Sequence, residues 1–412
     1  MHVAITLIAL VCSIIPLSAA DWPQWLGPTR DSHVSANEKF LTKLPSELIP
    51  VWKIQVGGGF SSPIVASGKL IYFDENGEKE IVHLLDAKSG KEIWQTSIAD
   101  RYADEWGSGP RSTPFIDGNR VYVQSCNGEF RCLNLADGKI LWAASFENDF
   151  GVKFLGSKGG EGTAARRGNN GSGIAEGNAV IVPVGSTNGA TLVCFDKLTG
   201  KVLWKSGNEE AAYSSLQVAT LAGVKQVIAF TADSLMGVDR KDGKQLWRVP
   251  LKTGAKRHTG TPVIFGNNIV VNSQTIGLVC FEISKQGMQL NANEVWANKK
   301  LKINIATPVH AGGFLYSQGA NKNFVCVDAK SGELKWDQPG FGKQNSSILV
   351  FGDRLLVLTD EGELVSLVAN PEKYSELSRV QAIGKNWNYP AWSDGKAFLR
   401  DSRELACFDL QP

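Results

Sequence analysis

DAKSGKEIW (Asp86 to Trp94) comes back along the chain as NLADGKILW (Asn134 to Trp142), DKLTGKVLW (Asp196 to Trp204), DRKDGKQLW (Asp239 to Trp247) and DAKSGELKW (Asp328 to Trp336). Each copy opens on an acidic or amide residue, places glycine four residues on and tryptophan four after that. Asp and Asn close turns through their side chains, and Gly reaches positive φ without a Cβ penalty. The phrase therefore predicts a hairpin turn running into a strand that ends on Trp. Two strands precede it, as in Arg120 to Cys126 and Glu129 to Leu133 around Asn127-Gly128, a dipeptide that favours hairpins. A further strand carries Ser62-Pro63, Thr113-Pro114, Thr261-Pro262 and Thr307-Pro308. Each unit reads as a four-stranded antiparallel sheet.

Counting outward, the repeat tryptophans are Trp52, Trp94, Trp142, Trp204, Trp247, Trp296 and Trp336, and an eighth outer strand without Trp fits Glu376 to Ile383. The chain starts with an orphan fourth strand at Pro50 to Val56 and finishes with three strands, Pro390 to Ser393, Lys396 to Arg400 and Glu404 to Leu410. Joined, these complete one blade and leave no sheet edge open. The expected fold is all-β: an eight-bladed β-propeller of four-stranded antiparallel blades, closed by pairing the N-terminal strand with the C-terminal blade. Blades of roughly 49 residues suit such repeats.

The tryptophans are assigned as inter-blade wedges, each indole N–H meeting a neighbouring backbone carbonyl. Cys132, Cys194, Cys280, Cys326 and Cys407 share one register before the turn, with His83, Gly237 and Ser366 in that place elsewhere. Intervening sheets hold such positions too far apart to bridge, so these are expected as buried free thiols. The Asn-Gly turn is expected to pair 123 with 132 and 126 with 129, which offsets Cys126 from Cys132. Residues 1–20 read as a signal peptide: an apolar run from Val3 to Leu17, then Ser18-Ala19-Ala20. The remaining 21–412 form one propeller domain, with an insertion at 146–170 between the second and third blades. Lys+Arg 43 against Asp+Glu 41, a net charge of +2, argues against a nucleic-acid partner. No metal-binding motif is visible, and the five histidines are scattered.

The turn phrase resembles the tryptophan-docking repeat of pyrroloquinoline-quinone (PQQ) proteins, and the whole of 21–412, from WPQWLGPTRD (Trp22 to Asp31) onward, is similar to the PQQ-repeat propellers of exported bacterial proteins. The same fold serves BamB-type lipoproteins of outer-membrane assembly. The resemblance implies a location in the periplasm or outer cell envelope and a non-catalytic scaffold that binds a ligand or protein. The alternative it implies is a PQQ-dependent quinoprotein oxidoreductase of alcohols or sugars, with PQQ and calcium as cofactors. Against that alternative, the sequence has no Cys-Cys dipeptide, so no cofactor is expected. The partner is an envelope protein or a small anionic ligand, with peripheral membrane association compatible with that location and a monomeric ring expected.

A site is expected on the axis, where first strands converge. Aligning on the Ser/Thr-Pro step gives Phe60, Arg111, Asn170, Tyr213, Thr259, Ile305, Asn345 and Asn388, with His258, Asn304, Gln344 and Trp387 one step earlier. Of these, Arg111, Asn170, Tyr213, His258, Asn304 and Asn345 are the candidate ligand-binding residues; the counter-charge of Arg111 must come from solvent, from a neighbouring loop such as Asp104-Glu105 or from a bound anion, and the anion is the functional expectation. No catalytic residue is assigned. Within the insertion, Lys158, Arg166 and Arg167 form a basic candidate partner loop.

Overall fold

Short alternating strands punctuated by glycine turns build eight four-stranded antiparallel sheets, set around one axis with the first strand of each innermost. The computed structural model describes residues 21–152, 168–253 and 256–412. The first blade is Ile64–Ala66, Lys69–Asn76, Lys79–Asp86 and Glu92–Asp100. The last joins Ala391–Ser393, Lys396–Arg400 and Glu404–Asp409 to an outer strand from the other end of the chain, Trp52–Gln55, with Trp52 opposite Cys407. The eighth outer strand is Glu376–Gln381, opposite Glu363–Val368. The core lies between blades. Phe130 and Trp142 of the second, for instance, share one apolar cluster with Val180 and Phe195 of the third.

The repeated Trp and Gly are two halves of one contact. Trp142 Nε1 donates to Lys197 O of the next blade at 3.1 Å, and a Cβ on Gly200 would lie 2.7 Å from the Trp142 ring. Gly200 also has φ +73°, so the position excludes a side chain on two counts. Trp52, Trp94, Trp204, Trp296 and Trp336 likewise donate to a carbonyl of the next blade. Trp247 departs from the expectation: its indole donates to Gln226 Oε1 within its own blade. The following blade has a long hairpin, Gly277–Gln286 with Gln289–Asn298, in place of the Asp-x-x-x-Gly turn, so no docking carbonyl is offered.

All six cysteines among the described residues are free and buried. Two register details are corrected. Leu84, not His83, faces Trp94 in the place the cysteines hold elsewhere. Cys132 faces Tyr122 rather than residue 123, because the turn spans Ser125 to Glu129, with Gly128 donating to Ser125 O and taking φ +79°. That is a type I turn with a glycine bulge, one residue longer than the two-residue hairpin the dipeptide suggests. Of the insertion, Phe146–Phe150 forms a short helix capped by Ser145. Residues 1–20 and Lys158, Arg166 and Arg167 lie outside the described residues.

Two features fix the axis. The Ser/Thr positions of the inner strands form a relay from blade to blade: Ser62 N–H donates to Thr113 Oγ1, Thr113 N–H to Ser172 Oγ, and Ser172 N–H to Ser215 Oγ. On the other arc Thr261 N–H donates to Thr307 Oγ1, Thr307 N–H to Tyr389 Oη, and Tyr389 N–H back to Ser62 Oγ. Proline follows Ser62, Thr113, Thr261, Thr307 and Tyr389, and lacking an N–H it leaves no donor unanswered at those steps. At the seam between last and first blades, the fully buried Arg400 donates to the carbonyls of Gly57, Gly58, Ser61 and Phe73.

The segment Trp22 to Glu38 crosses one end of the axis as a plug. Trp22 bridges Val65 of the first blade, Trp25 Nε1 donates to Thr261 of the fifth, and Arg30 donates to Gly173 O of the third. His33 bridges Val350 of the seventh and bonds through its ring to His310 O of the sixth, and Glu38 accepts from Trp392 of the eighth.

Candidate functional site

With one end plugged, the axis becomes a cup of about 320 Å³, a size in the range of small-ligand pockets. Trp25 and Tyr389 meet at 4.5 Å and belong to its lining together with Ser172 and Ser215, residues that reach the hydroxyl relay and the plug. The entry loops of the inner strands supply Phe60, Arg111, Asn170, Tyr213, Thr259, Ile305 and Asn345, and the preceding positions add Asn304, Gln344 and Trp387. Phe60 stacks on Trp387 at 5.3 Å, and Trp106 lies 6.3 Å from Trp387 with 46% of its surface exposed. Arg257, Gln274 and Thr275 complete the polar part. Among the described residues no aspartate or glutamate lines the cup.

Two axial positions turn away. Asn388 is buried and donates to Arg400 O, leaving its place to its neighbours Trp387 and Tyr389. His258 is fully buried, stacks on Phe230 at 3.9 Å and bonds Leu251 O. Burial pushes its pKa down to about 4, so it is neutral at pH 7. His258 therefore does not join Arg111, Asn170, Tyr213, Asn304 and Asn345, which the cup does bring together. In the irregular segment that leads into Val263–Phe265, Arg257 and Thr259 line the cup while His258 between them packs away from it.

Arg111 needs no bound anion to balance it. Its Nη2 lies 2.5 Å from Asp104 Oδ1, the pair having side-chain exposures of 11% and 0%. Asp104 sits on a small hairpin, Ala103–Asp104 with Gly107–Ser108, and also accepts from Tyr102 Oη and Trp106 N. The guanidinium is flanked by the Phe60 and Tyr102 rings at 5.5 and 5.1 Å. Behind it, Glu80 is wholly buried, and burial pushes its carboxyl up to about 7. The expected anion anchor is thus a neutralised part of the wall.

Sequence reasoning passed over Trp25 and Trp106. The signal was present: of 12 tryptophans, seven fall in the docking register, and of the five that do not, Trp25, Trp106 and Trp387 all line the cup. Among the described residues no group of three or more His, Cys, Asp or Glu side chains is placed to hold a metal ion. No helix of the described residues is long and apolar enough to cross a membrane.

A family model described as outer membrane protein assembly factor BamB matches residues 78–338 and 289–371. Outer membrane protein assembly factor BamB of Yersinia pestis is 23% identical over 320 residues, 73% of this chain and 70% of that protein. The protein of the same description from Burkholderia pseudomallei (strain K96243) is 27% identical over 246 residues, 56% of each. Among solved structures, BamB from Moraxella catarrhalis superposes with TM-score 0.61 at 15% identity, covering 88% of this chain and 98% of its own. A europium-containing methanol dehydrogenase gives TM-score 0.65 at 10% identity, covering 91% and 87%. At such identities the structural likeness concerns the fold alone.

Proposed function

The chain belongs to the family of outer membrane protein assembly factor BamB, and from that premise we propose that it is a non-catalytic binding scaffold of the cell envelope that takes its ligand or a partner's side chains into the axial cup. The observation that carries this reading is the cup itself: closed at one end, walled by Phe60, Trp106 and Trp387, and furnished with amides and hydroxyls that orient a guest without offering it a reacting group. Aromatic walls with a few fixed polar groups suit recognition.

The lining does not fit a quinone held by calcium. Ca²⁺ takes six to eight oxygens and draws on carboxylates. Here Asp104 is committed to Arg111, and among the described residues the lining offers a second cation, Arg257, and neutral side chains such as Asn170, Asn304 and Asn345, but no carboxylate. No step is therefore derived through that cofactor.

Two measurements test the proposal. Purified protein incubated with PQQ and Ca²⁺ is expected to retain no quinone absorbance and to reduce no dye with alcohols or sugars. Stoichiometric quinone with dye reduction would replace the scaffold by an oxidoreductase. In a pull-down from the envelope fraction, a partner held by the wild type is expected to be lost by Trp106→Ala and Tyr213→Ala together. Equal retention by wild type and variant sets the cup aside as the binding surface.

A further inference from the structure

Glu75 and Glu80 stand directly opposite one another in the first blade, across the strands Lys69–Asn76 and Lys79–Asp86. Side chains paired in this way share a face about 5 Å apart, and like charges there repel. Glu80 is fully buried, Glu75 half-buried, and Oε2 of each carboxyl is buried without a hydrogen-bond partner. Two such groups do not both ionise cheaply, so one keeps its proton into the neutral range. Burial, with the Glu75 charge adding to it, raises Glu80 from an ordinary 4.5 to about 7; Ser125, the Tyr102 N–H and Arg111 oppose the rise.

This acid pair is the footing of the hairpin Ala103–Asp104 with Gly107–Ser108. Ser108 Oγ donates to Glu75 Oε1 at 2.6 Å, and Tyr102 N–H donates to Glu80 Oε1 at 3.3 Å. The two arms pair only Ala103 with Ser108 and Asp104 with Gly107, and Gly109 N–H closes the base on Tyr102 O. A hairpin of that length has little stability of its own, so its position rests on these anchors and on the Arg111–Asp104 pair. At its tip Trp106 meets Trp387, which enters the cup from the eighth blade. The other titratable groups around Glu80 do not change charge near neutrality. Burial pushes the Tyr102 hydroxyl and the Cys126 thiol up, and Asp104 and Arg111 satisfy each other. His83, on the same strand, is turned to Asp74 and Glu92.

We propose that this hairpin is a proton-operated lip of the axial cup: it lies at the mouth while Glu80 carries a proton, and lifts with Trp106 when Glu75 and Glu80 are both charged. Ionisation leaves two like charges facing each other out of reach of water, and lifting the hairpin hydrates both. The charged Glu80 also competes with Asp104 for Arg111, which loosens the third anchor. With the Glu80 carboxyl at about 7 under the closed lip and at an ordinary 4.5 under the open one, the open-to-closed ratio rises roughly 30-fold between pH 5.5 and 8. The motion belongs to the protein alone, so it stands or falls apart from the binding role of the cup.

The test is fluorine NMR of the full protein grown with fluorotryptophan, the Trp106 resonance being identified by its loss in Trp106→Phe. Between about pH 5.5 and 8.5 that resonance is expected to shift or split toward a water-exposed position with a midpoint near 7, while the docking tryptophans stay in place. Glu80→Gln should hold Trp106 at its acid position throughout, which also separates the lip from any titration of His83. Ser108→Ala removes the Glu75 anchor and should move the midpoint to lower pH, and it carries the test if Glu80→Gln does not fold. A Trp106 resonance that ignores pH, one that titrates equally in Glu80→Gln, an unchanged midpoint in Ser108→Ala, or a change shared by all the tryptophans overturns the proposal.

Discussion

Replacing Asp104 by Asn keeps the shape of the wall and removes one charge of the Arg111 pair. Both side chains are withdrawn from water, Asp104 fully and Arg111 to 11%, so the remaining guanidinium would be left buried beside two aromatic rings. Breaking a buried pair from one side costs about 3–5 kcal/mol. The residual exposure of Arg111 and the Tyr102 and Trp106 bonds that Asn can still accept favour the lower end, about 3 kcal/mol. Arg111→Met should cost a similar amount, because it strands Asp104. The double variant should be milder than the sum, with a coupling of roughly 2–3 kcal/mol. Urea unfolding followed by tryptophan fluorescence reads this as shifts of the midpoint at unchanged slope. Single changes below about 1 kcal/mol that simply add would refute the reasoning: Arg111 would then behave as a solvated cation, free to anchor an anionic guest.

Further outcomes follow from other parts of the ring. Gly243→Ala places a Cβ 2.5 Å from Trp204 at a φ of +73°, and should lower stability by about 2–5 kcal/mol, against about 1–2 kcal/mol for Gly266→Ala, where only the φ of +58° opposes the methyl; comparable urea midpoints for the two would argue against docking. The Glu80 carboxyl, raised to about 7 by burial, binds its proton more tightly folded than unfolded. Its penalty is therefore absent below about pH 4.5 and grows as pH rises through 7. Glu80→Gln should accordingly gain on the wild type between pH 5 and 8, and melting curves that stay parallel across that window would contradict it. Deleting residues 21–57 removes both the plug and the Trp52–Gln55 strand, opening two sheet edges, and should give aggregation or a non-cooperative melt. A monomeric, cooperative product would contradict the closure.

The ring was legible because its logic repeats. Asp-x-x-x-Gly and Trp recur at fixed separation since each blade must offer a carbonyl and a bare Cα to its neighbour's indole, and a lone strand early in the chain with three late in it left only closure as a home for both. The plug was not legible. WPQWLGPTRD has no period, and its partners Gly173, Gln217, Thr261, His310 and Val350 are brought to it only by the finished ring. The cup was half legible: alignment on the Ser/Thr-Pro step found Tyr213 and Asn345, yet took for an inward position His258, which Phe230 and Leu251 O hold away from the axis. Asp104 was among the sources of counter-charge the sequence offered Arg111, but a small hairpin carries no pattern that could decide for it over a bound anion.

The pairing of Trp52 with Cys407 bears on how the molecule comes into being. Among the described residues the earliest strand, Trp52–Gln55, has its ladder partner roughly 355 residues downstream, and closing such a loop carries an entropic cost of about 5 kcal/mol. Neighbouring blades can assemble through local hairpins as they emerge, but the ring remains an arc with two bare edges until the last strand is made. The seam should therefore be the slowest part of the structure to form and the first to open. A nascent or heat-stressed chain would spend its vulnerable time as that open arc, dependent on whatever shields its edges.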